Sequence, residues 1–427
     1  MKKTALFLLL ISAYFTGFSQ DNEYAKKVIE KLSSAEFRGR GYVENGDKIS
    51  AEYISEEFQS LGLLPGNRKS YYQKFDISVN TFPGNVMLKI NGTELKPAAE
   101  YLVESSCPSV KGKFQVIKTS RSQIDSQPKL LSLITSAGNS FILIDCRDKK
   151  NEKPDLSKKI DEYIQLLEYS PQVNIKGIII YTNDKLTWEA SQQQNVRPVI
   201  TLTKELDLDN VNSLEIDIDA KLLQNYETQN IIGSIKGTSG SDSTIVVIAH
   251  YDHLGKLGKE TYFPGANDNA SGVAMILNLA KHYSENKPKY TMVFIALSGE
   301  ELGILGAKAF TENPLIDLSK IKFLINFDLA GTGDEGIKVV NGSVYKGKFD
   351  LLSKINQQQN LLPKVDIRGP ACNSDHCLFY QKGVPCFYIY TLGGIQAYHD
   401  IYDKSETLPL TEFADYRKLM ILFFDSI

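Results

Sequence analysis

The sequence sets His250, Asp252, Asp268, Glu300, Glu301, Asp328 and His399 at the ends of apolar runs or in the loops after them. In "STIVVIAHYDH", strand alternation lets His250 and Asp252 share a face while Tyr251 and His253 point away. A histidine with a carboxylate two residues on reads either as a metal ligand with its orienting partner or as a hydrogen-bonded structural pair. Asp268 lies in "PGANDNASG", a turn-rich loop before a helix, where Asn269 or Ser271 serves equally well as the cap and leaves Asp268 free. "ALSGEELG" puts Glu300 and Glu301 side by side, where like charges repel and each needs its own reason to be there. "NFDLAG" adds Asp328, and "QAYHDIYDK" places His399 in an irregular, aromatic-flanked loop. Together His250, Asp268, Glu301, Asp328 and His399 offer two imidazoles and three carboxylates, a set that suits Zn²⁺, with Mn²⁺ or Co²⁺ as substitutes. A carboxylate bridging two such ions about 3.5–4 Å apart would make a two-metal hydrolytic site.

The elements that must position these residues are legible from residue 221 onward. "STIVVIAH", "YTMVFIAL", "IKFLINFDL" and "VPCFYIYT" read as buried strands, with "SGVAMILNLAKHY", "GILGAKAFTEN" and "FADYRKLMILFFDSI" as helices. Continuous apolar strands alternating with helices predict an α/β fold, a mixed, mostly parallel sheet sandwiched by helices. Ligands then belong at the carboxyl ends of the strands, where the candidate residues lie. Upstream, "GDKISAEYISEEFQSLGLLPG" carries an apolar stripe at Ala51, Ile54, Phe58 and Leu61 and predicts one amphipathic helix. Between 90 and 220 the texture changes to short runs such as "FQVIK", "FILIDC", "KGIIIYTND" and "LEIDIDA", which predict a small β-rich module.

With 427 residues, 42% of them hydrophobic, the chain is long enough for a large core and two domains. A formal net charge of -3 and the lack of any Lys/Arg-rich block give no nucleic-acid footprint. Lys2 and Lys3, the run "TALFLLLISAYFTGF" and the small residues Gly17 and Ser19 follow the order of a secretory signal peptide over 1–19, with the mature chain starting near Gln20. That run is shorter than the roughly 20 apolar residues a bilayer span needs. The expectation is therefore an exported protein, periplasmic or secreted, without a membrane anchor. The five cysteines (Cys107, Cys146, Cys372, Cys377 and Cys386) are odd in number and leave room for a disulfide among the last three.

The ordered strings "HYD", "GANDNASG", "SGEELG", "NFDLAG" and "YHDIYD" resemble the successive motifs of the co-catalytic zinc aminopeptidase family typified by bacterial leucyl aminopeptidase. Glutamate carboxypeptidase II and the glutaminyl cyclases are relatives of that family. "FRGRGYVENGDKISAEYI" is similar to the family's N-terminal segment, and the β-rich region resembles its protease-associated insert. The resemblance implies a catalytic domain in two parts, 20–89 and 221–427, around an insert at 90–220. It implies two zinc ions per chain, one held by His250 and Asp328, the other by Glu301 and His399, with Asp268 between them. Asp252 would orient His250, and Glu300 would be the general base, which gives each member of the glutamate pair a separate task. Peptides with a free N-terminus are the implied substrates.

Other residues read as structural. Ser374 or Asp375 in "NSDHCLFYQKG" looks like a helix cap, and the resemblance leaves His376 off the metals. His253 faces away from the site by alternation, and His282 closes a surface helix. The chain departs from the family pattern where Asp400 and Lys404 stand in place of threonines, and where Phe327 replaces the commoner Met. A glutaminyl cyclase typically lacks "DNASG" and has Trp where Tyr398 stands, and a carboxypeptidase relative has Pro where Asn269 stands. A receptor-like protein that kept the fold and lost the metals would not retain all five ligands.

Overall fold

The computed structural model describes residues 22–67 and 69–427; the segment read as a signal peptide lies outside them. Two large sheets organise the chain. The first contains, in order, Leu64–Pro65, Lys221–Ile235, Thr291–Leu297, Thr244–His250, Ile321–Asp328, Cys386–Leu392, Gly336–Val340 and Val365–Ile367, with Tyr72–Thr81 paired to Lys221–Ile235. Its centre is parallel: Thr244–His250 runs parallel to both Thr291–Leu297 and Ile321–Asp328, and the latter to Cys386–Leu392. Antiparallel pairing flanks this centre, at Lys221–Ile235 on one side and Gly336–Val340 on the other. The α/β sandwich expected from the sequence is therefore present, as a mixed sheet.

The strands are apolar throughout because both faces are covered. Ile245, Val247 and Ala249 enter one core, beneath the helices Ser271–Glu285, Lys346–Gln359 and Phe413–Ser426. Their neighbours Val246 and Ile248 enter the opposite core with Ala307 and Phe310 of the helix Leu305–Glu312 and Phe379 of His376–Gln381. The same alternation divides Met292, Phe294 and Ala296 from Val293, Ile295 and Leu297. A parallel register fixed this way brings the ends of three strands side by side, which is what a site assembled from His250, Glu300, Glu301 and Asp328 requires.

After Thr81 the chain leaves this sheet and rejoins it at Lys221. Between them lies an eight-stranded sheet that starts with Val86–Ile90, ends with Ser213–Ile218 and has Val110–Ser120, Phe141–Asp145, Gly177–Tyr181 and Val199–Leu202 in parallel at its centre. Two helices, Gln127–Ala137 and Pro154–Tyr169, pack on it, an addition to the β-rich texture read from the sequence. The core of this second unit also takes in Leu254, Leu257 and Phe263, from the segment that follows His250, so the two sheets share apolar contacts next to the candidate site. Cys372 and Cys377 form a disulfide, and Cys107, Cys146 and Cys386 are free and buried. Among the described residues, no helix is long and apolar enough to cross a membrane.

Candidate metal centre

The parallel strands deliver His250, the Ser298–Glu301 turn and Asp328 to one edge of the sheet, and the loops carrying Asp268 and His399 close over it. His250 Nε2 lies 3.4 Å from Asp268 Oδ1 and 3.5 Å from Asp328 Oδ1. His399 Nε2 lies 3.2 Å from Asp268 Oδ2 and 3.3 Å from Glu301 Oε2. The Asp268 carboxylate thus turns one oxygen to each group, and it is 3% exposed. His250, Asp268 and Asp328 have ligand atoms close enough together to hold one ion, and His253, Asp268 and Glu301 form a second such set. Asp328 Oδ1 is buried without a hydrogen-bond partner, an orphaned acceptor that a cation would satisfy.

Two sequence expectations change here. Asp252 was expected to orient His250 through its carboxylate, but Oδ1 stands 3.8 Å from Nδ1. His250 instead donates Nδ1–H to the Asp252 backbone carbonyl at 3.2 Å, which still leaves Nε2 free as a lone-pair donor. The Asp252 carboxylate accepts the backbone N–H of Glu300 at 3.2 Å and of Glu301 at 3.4 Å, so it fixes the glutamate turn. His253, expected to face away, is buried with Nδ1 2.7 Å from Glu301 Oε1. The strand ends at His250, and beyond it the alternation that excluded His253 no longer applies.

The cap expectation for "NSDH" also fails. Ser374 Oγ accepts from Asn326 Nδ2 at 2.8 Å, and Asp375 makes no cap bond; both of its carboxylate oxygens are buried and unpartnered. Burial, together with Asp252, Asp328 and Glu301 and against the pull of His250, pushes Asp375 up to about 8. His376 donates Nε2–H to the Ala371 carbonyl at 2.9 Å and belongs to neither metal-holding set. His282 lies in the last turn of its helix, partly exposed. Asn269 Oδ1 accepts the Gly272 N–H at 2.9 Å and covers the first turn of the next helix, so Asp268 is spared that task.

Sequence reasoning passed over the residues that grip the Asp268 loop. Arg40 is fully buried and directs all five guanidinium N–H groups to backbone carbonyls: Tyr251 at 2.8 Å, Leu32 at 3.1 Å, Pro264 at 2.6 Å, Gly265 at 2.8 Å and Asp268 at 3.0 Å. Asp403 takes the amides of the same loop, from Asn267 at 2.9 Å and Asp268 at 2.9 Å. The glycines beside Arg40 admit this approach, since a Cβ at Gly39 would lie 2.4 Å from the Gly255 carbonyl oxygen and one at Gly41 2.4 Å from Gly255 Cα. The signal lay in "FRGRGY", a basic residue between two glycines, but its partners are carbonyls, which leave no mark in a sequence.

The electrostatics follow from this crowding of carboxylates. Burial pulls His250 down, but Glu300, Asp328 and Asp268 outweigh it and raise the imidazole well above its ordinary range. Burial also opposes His399, which Glu301 and Asp268 raise to about 11. Glu301 is lowered to about 2, where His399 and His253 overcome burial and the repulsion of Asp268. Glu300, partly exposed, is raised by burial and by Asp375, Glu301 and Asp328 against the pull of His250. One glutamate therefore stays ionised among imidazoles while its neighbour holds protons more tightly.

Residues 230–424 match the family described as Peptidase family M28. Over these residues, which make up less than half of its length, the chain is similar to peptidase family M28. This agrees with the resemblance drawn from the motifs, all five of which fall inside the M28 region. The chain is 26% identical to Aminopeptidase YwaD of Bacillus subtilis over 321 residues, 73% of this chain and 66% of that protein. It is 32% identical to a Vacuolar membrane protease of Candida glabrata over 126 residues, 28% of this chain and 12% of that protein. The chain thus spans less than two thirds of the length of either relative. In fold, it is similar to BSAP, a zinc aminopeptidase from Bacillus subtilis, with a TM-score of 0.67 and 19% identity over 95% of this chain and 93% of that one. A Peptidase M28 precursor from Shewanella amazonensis SB2B gives a TM-score of 0.65 and 16% identity over 96% of this chain and 97% of that one.

Proposed function

We propose that this chain is a zinc-dependent aminopeptidase of the M28 kind that removes N-terminal residues from peptides at a two-metal site. The observation that carries the reading is the Asp268 carboxylate, which offers Oδ1 to the His250 and Asp328 side and Oδ2 to the His399 and Glu301 side. Two imidazoles and three carboxylates, of which His250, Asp268 and Asp328 are buried and Glu301 and His399 half-buried, fit a pair of divalent cations together with the orphaned Asp328 oxygen. On this reading His250 and Asp328 hold one ion, Glu301 and His399 hold the other, and Asp268 joins them. Zinc bound there would acidify a water and polarise the scissile carbonyl.

Glu300 is the general base: it takes the attacking water's proton and hands it to the leaving amine, a contribution of about 10²–10⁴ in rate. Glu301 is excluded from that task because His253 lies 2.7 Å from one of its oxygens and, on this reading, the other is committed with His399 to an ion. Asp252 supports both glutamates by fixing their backbone amides. A substrate's free α-amine is cationic and finds its complement among the carboxylates, which directs cleavage to the amino end. The Lys2–Lys3 leader and its apolar run support export, to the periplasm or beyond, and the texture of 90–220 supports an insert of the protease-associated kind.

The test compares an aminoacyl p-nitroanilide, its N-acetyl form and an N-terminal glutaminyl peptide, each with and without a chelator. The free substrate should be cleaved only when zinc is present, and the acetylated one should not be cleaved. Acetylation leaves a buried carboxylate without its partner, which costs about 1 to 3 kcal/mol, a factor of about 5 to 150, before any steric clash. Cleavage by metal-free protein, or equal cleavage of the acetylated form, would overturn the reading. Loss of ammonia from the glutaminyl peptide would move it to a cyclase.

A further inference from the structure

Of the proposed ligand set, His250 and Asp328 close strands, Glu301 lies in the turn just after one and Asp268 on the loop gripped by Arg40, whereas His399 comes from a loop of its own. It sits at φ 52°, a left-handed conformation that a histidine keeps only when its surroundings impose it. Those surroundings belong to the segment 185–188, which follows the strand Gly177–Tyr181 of the second sheet. His399 Nδ1 lies 2.9 Å from the Trp188 carbonyl oxygen, and because a carbonyl only accepts, Nδ1 carries a proton and Nε2 is the nitrogen aimed between Asp268 and Glu301, where a cation would take the place of its proton. The Trp188 N–H returns a bond to the His399 carbonyl at 2.9 Å. Lys185 Nζ donates to the carbonyls of Gln396 at 2.7 Å and Tyr398 at 3.2 Å and pairs with Asp400 Oδ2 at 2.6 Å. The carbonyls on both sides of the His399 ring are thus held from the second unit.

The clamp is anchored at its own end. Trp188 is buried, its Nε1–H donates to the Val103 carbonyl at 2.7 Å, and its ring stacks on Phe263 with centroids 4.8 Å apart. Asp400, 4% exposed, also accepts the Tyr402 N–H at 2.8 Å, so Lys185 bonds to a carboxylate that is already fixed.

We infer that the 185–188 segment is a positioning element of the metal site: it sets the tautomer and direction of His399, and Lys185 locks it in register. This rests on the two-metal reading. The second sheet is then part of the catalytic apparatus, since the ring of one proposed ligand is oriented by a backbone carbonyl that the sheet supplies. Loosening the clamp lets the His399 loop relax, and the ion held by Glu301 and His399 loses a pre-aimed donor while the ion at His250 and Asp328 does not.

The experiment measures Zn²⁺ binding to the full chain by competition with a chromophoric chelator for wild type, Lys185→Met, Lys185→Arg and His399→Ala. It also records the melting temperature of each protein in excess chelator. His399→Ala identifies which binding step belongs to Glu301 and His399. Lys185→Met should weaken that step by about 10-fold or more, the usual effect of removing an outer support of a ligand, and leave the other step as in wild type. Lys185→Arg should restore most of the affinity. The Lys185 side chain is 46% exposed, so the metal-free melting temperature should not move. Wild-type affinities in Lys185→Met, or equal weakening of both steps together with a lower melting temperature, would overturn the inference. Asp400→Asn, which removes the partner from the other side, should give the same selective loss and serves if Lys185→Met does not fold. Wild-type protein that binds no zinc would sink the two-metal reading and this inference together, whereas two bound ions with an unaffected Lys185→Met would sink the clamp alone.

Discussion

Replacing Arg40 tests whether the site is held in shape by the protein itself. The side chain gives all five donors to carbonyls and, among the described residues, has no carboxylate within hydrogen-bond range, so its value lies in ordering backbone. In Arg40→Met those five carbonyls lose their donor, and at about 1.5 kcal/mol each the loss totals about 7 kcal/mol. Burial works the other way: it pulls the guanidinium from 12.5 down to about 10, and removing a cation so desolvated returns about 3 kcal/mol. The expected net loss is about 4 kcal/mol, near the upper limit for single substitutions. Arg40→Lys keeps the charge but has three donors, so at least two carbonyls are orphaned and about 3 kcal/mol is lost.

Urea unfolding of chelator-treated protein, followed by circular dichroism, reads both losses; with a slope of about 3 kcal/mol/M, Arg40→Met should move the midpoint by about 1 M or more. The folded-state pKa is depressed, so the unfolded chain binds the extra proton only above about pH 10, and stability gains from this group lie there alone. The losses should therefore be equal at pH 6 and pH 9. A loss below about 1 kcal/mol in Arg40→Met would mean that these bonds do not hold the Asp268 loop.

Three further outcomes are expected. Glu300→Gln should keep its zinc and lose about 10²–10⁴ in turnover, while Glu301→Gln should lose or weaken one ion; metal loss that followed Glu300 would reverse the assignment. Burial, then Glu104 and Asp161, raises Glu168 from 4.5 to about 7, so the stability of the folded state with this residue protonated is present below 4.5 and lost as pH rises through 7. Glu168→Gln should then stabilise by about 2 kcal/mol at pH 8, after discounting for residual exposure, and by almost nothing at pH 4.5; equal urea midpoint shifts at both would refute this. Finally, removing zinc with a chelator should lower thermal stability, since an ion present at 100 times its Kd adds about 2.7 kcal/mol; a melting temperature unchanged by chelator and by added zinc would deny a metal at this site.

The sheet was legible in the sequence because strands buried on both faces have to be continuously apolar, and "STIVVIAH" and "YTMVFIAL" have no other reading at that length. The candidate ligands were legible because His250, Glu301 and Asp328 close or follow such runs and Asp268 and His399 lie in the loops between elements. Alternation was reliable only inside the strand: it describes Ile245 to Ala249, and it misplaced His253 because pairing stops at His250. The helices Gln127–Ala137 and Pro154–Tyr169 went unread because they are set among short apolar runs, and "KLLSLITSA" suits a strand as well as a helix. What could not be read was support through the backbone. Apart from the nearby Leu32 carbonyl, Arg40, Asp403, Lys185 and Trp188 act on carbonyls and amides more than 80 residues away in sequence, where residue type gives no clue to partnership.

The division between ligands and supports has a physical reason. Side chains at the ends of adjacent parallel strands are brought together by the ladder, so His250, the glutamate turn and Asp328 need little beyond the fold to meet. Asp268 and His399 come from loops, whose conformational freedom would otherwise be lost at the moment an ion binds. Both loops are therefore tied by their main chain, one between Arg40 and Asp403, the other by Lys185 and the Trp188 N–H. Main-chain ties leave the ligand side chains free to face inward, where Asp252, Asp268, Glu301, Asp328 and Asp375 crowd around few cations. That repulsion would push a loosely held loop outward. Holding it in place before any ion arrives makes the excess of negative charge a source of cation affinity instead of a cause of local unfolding.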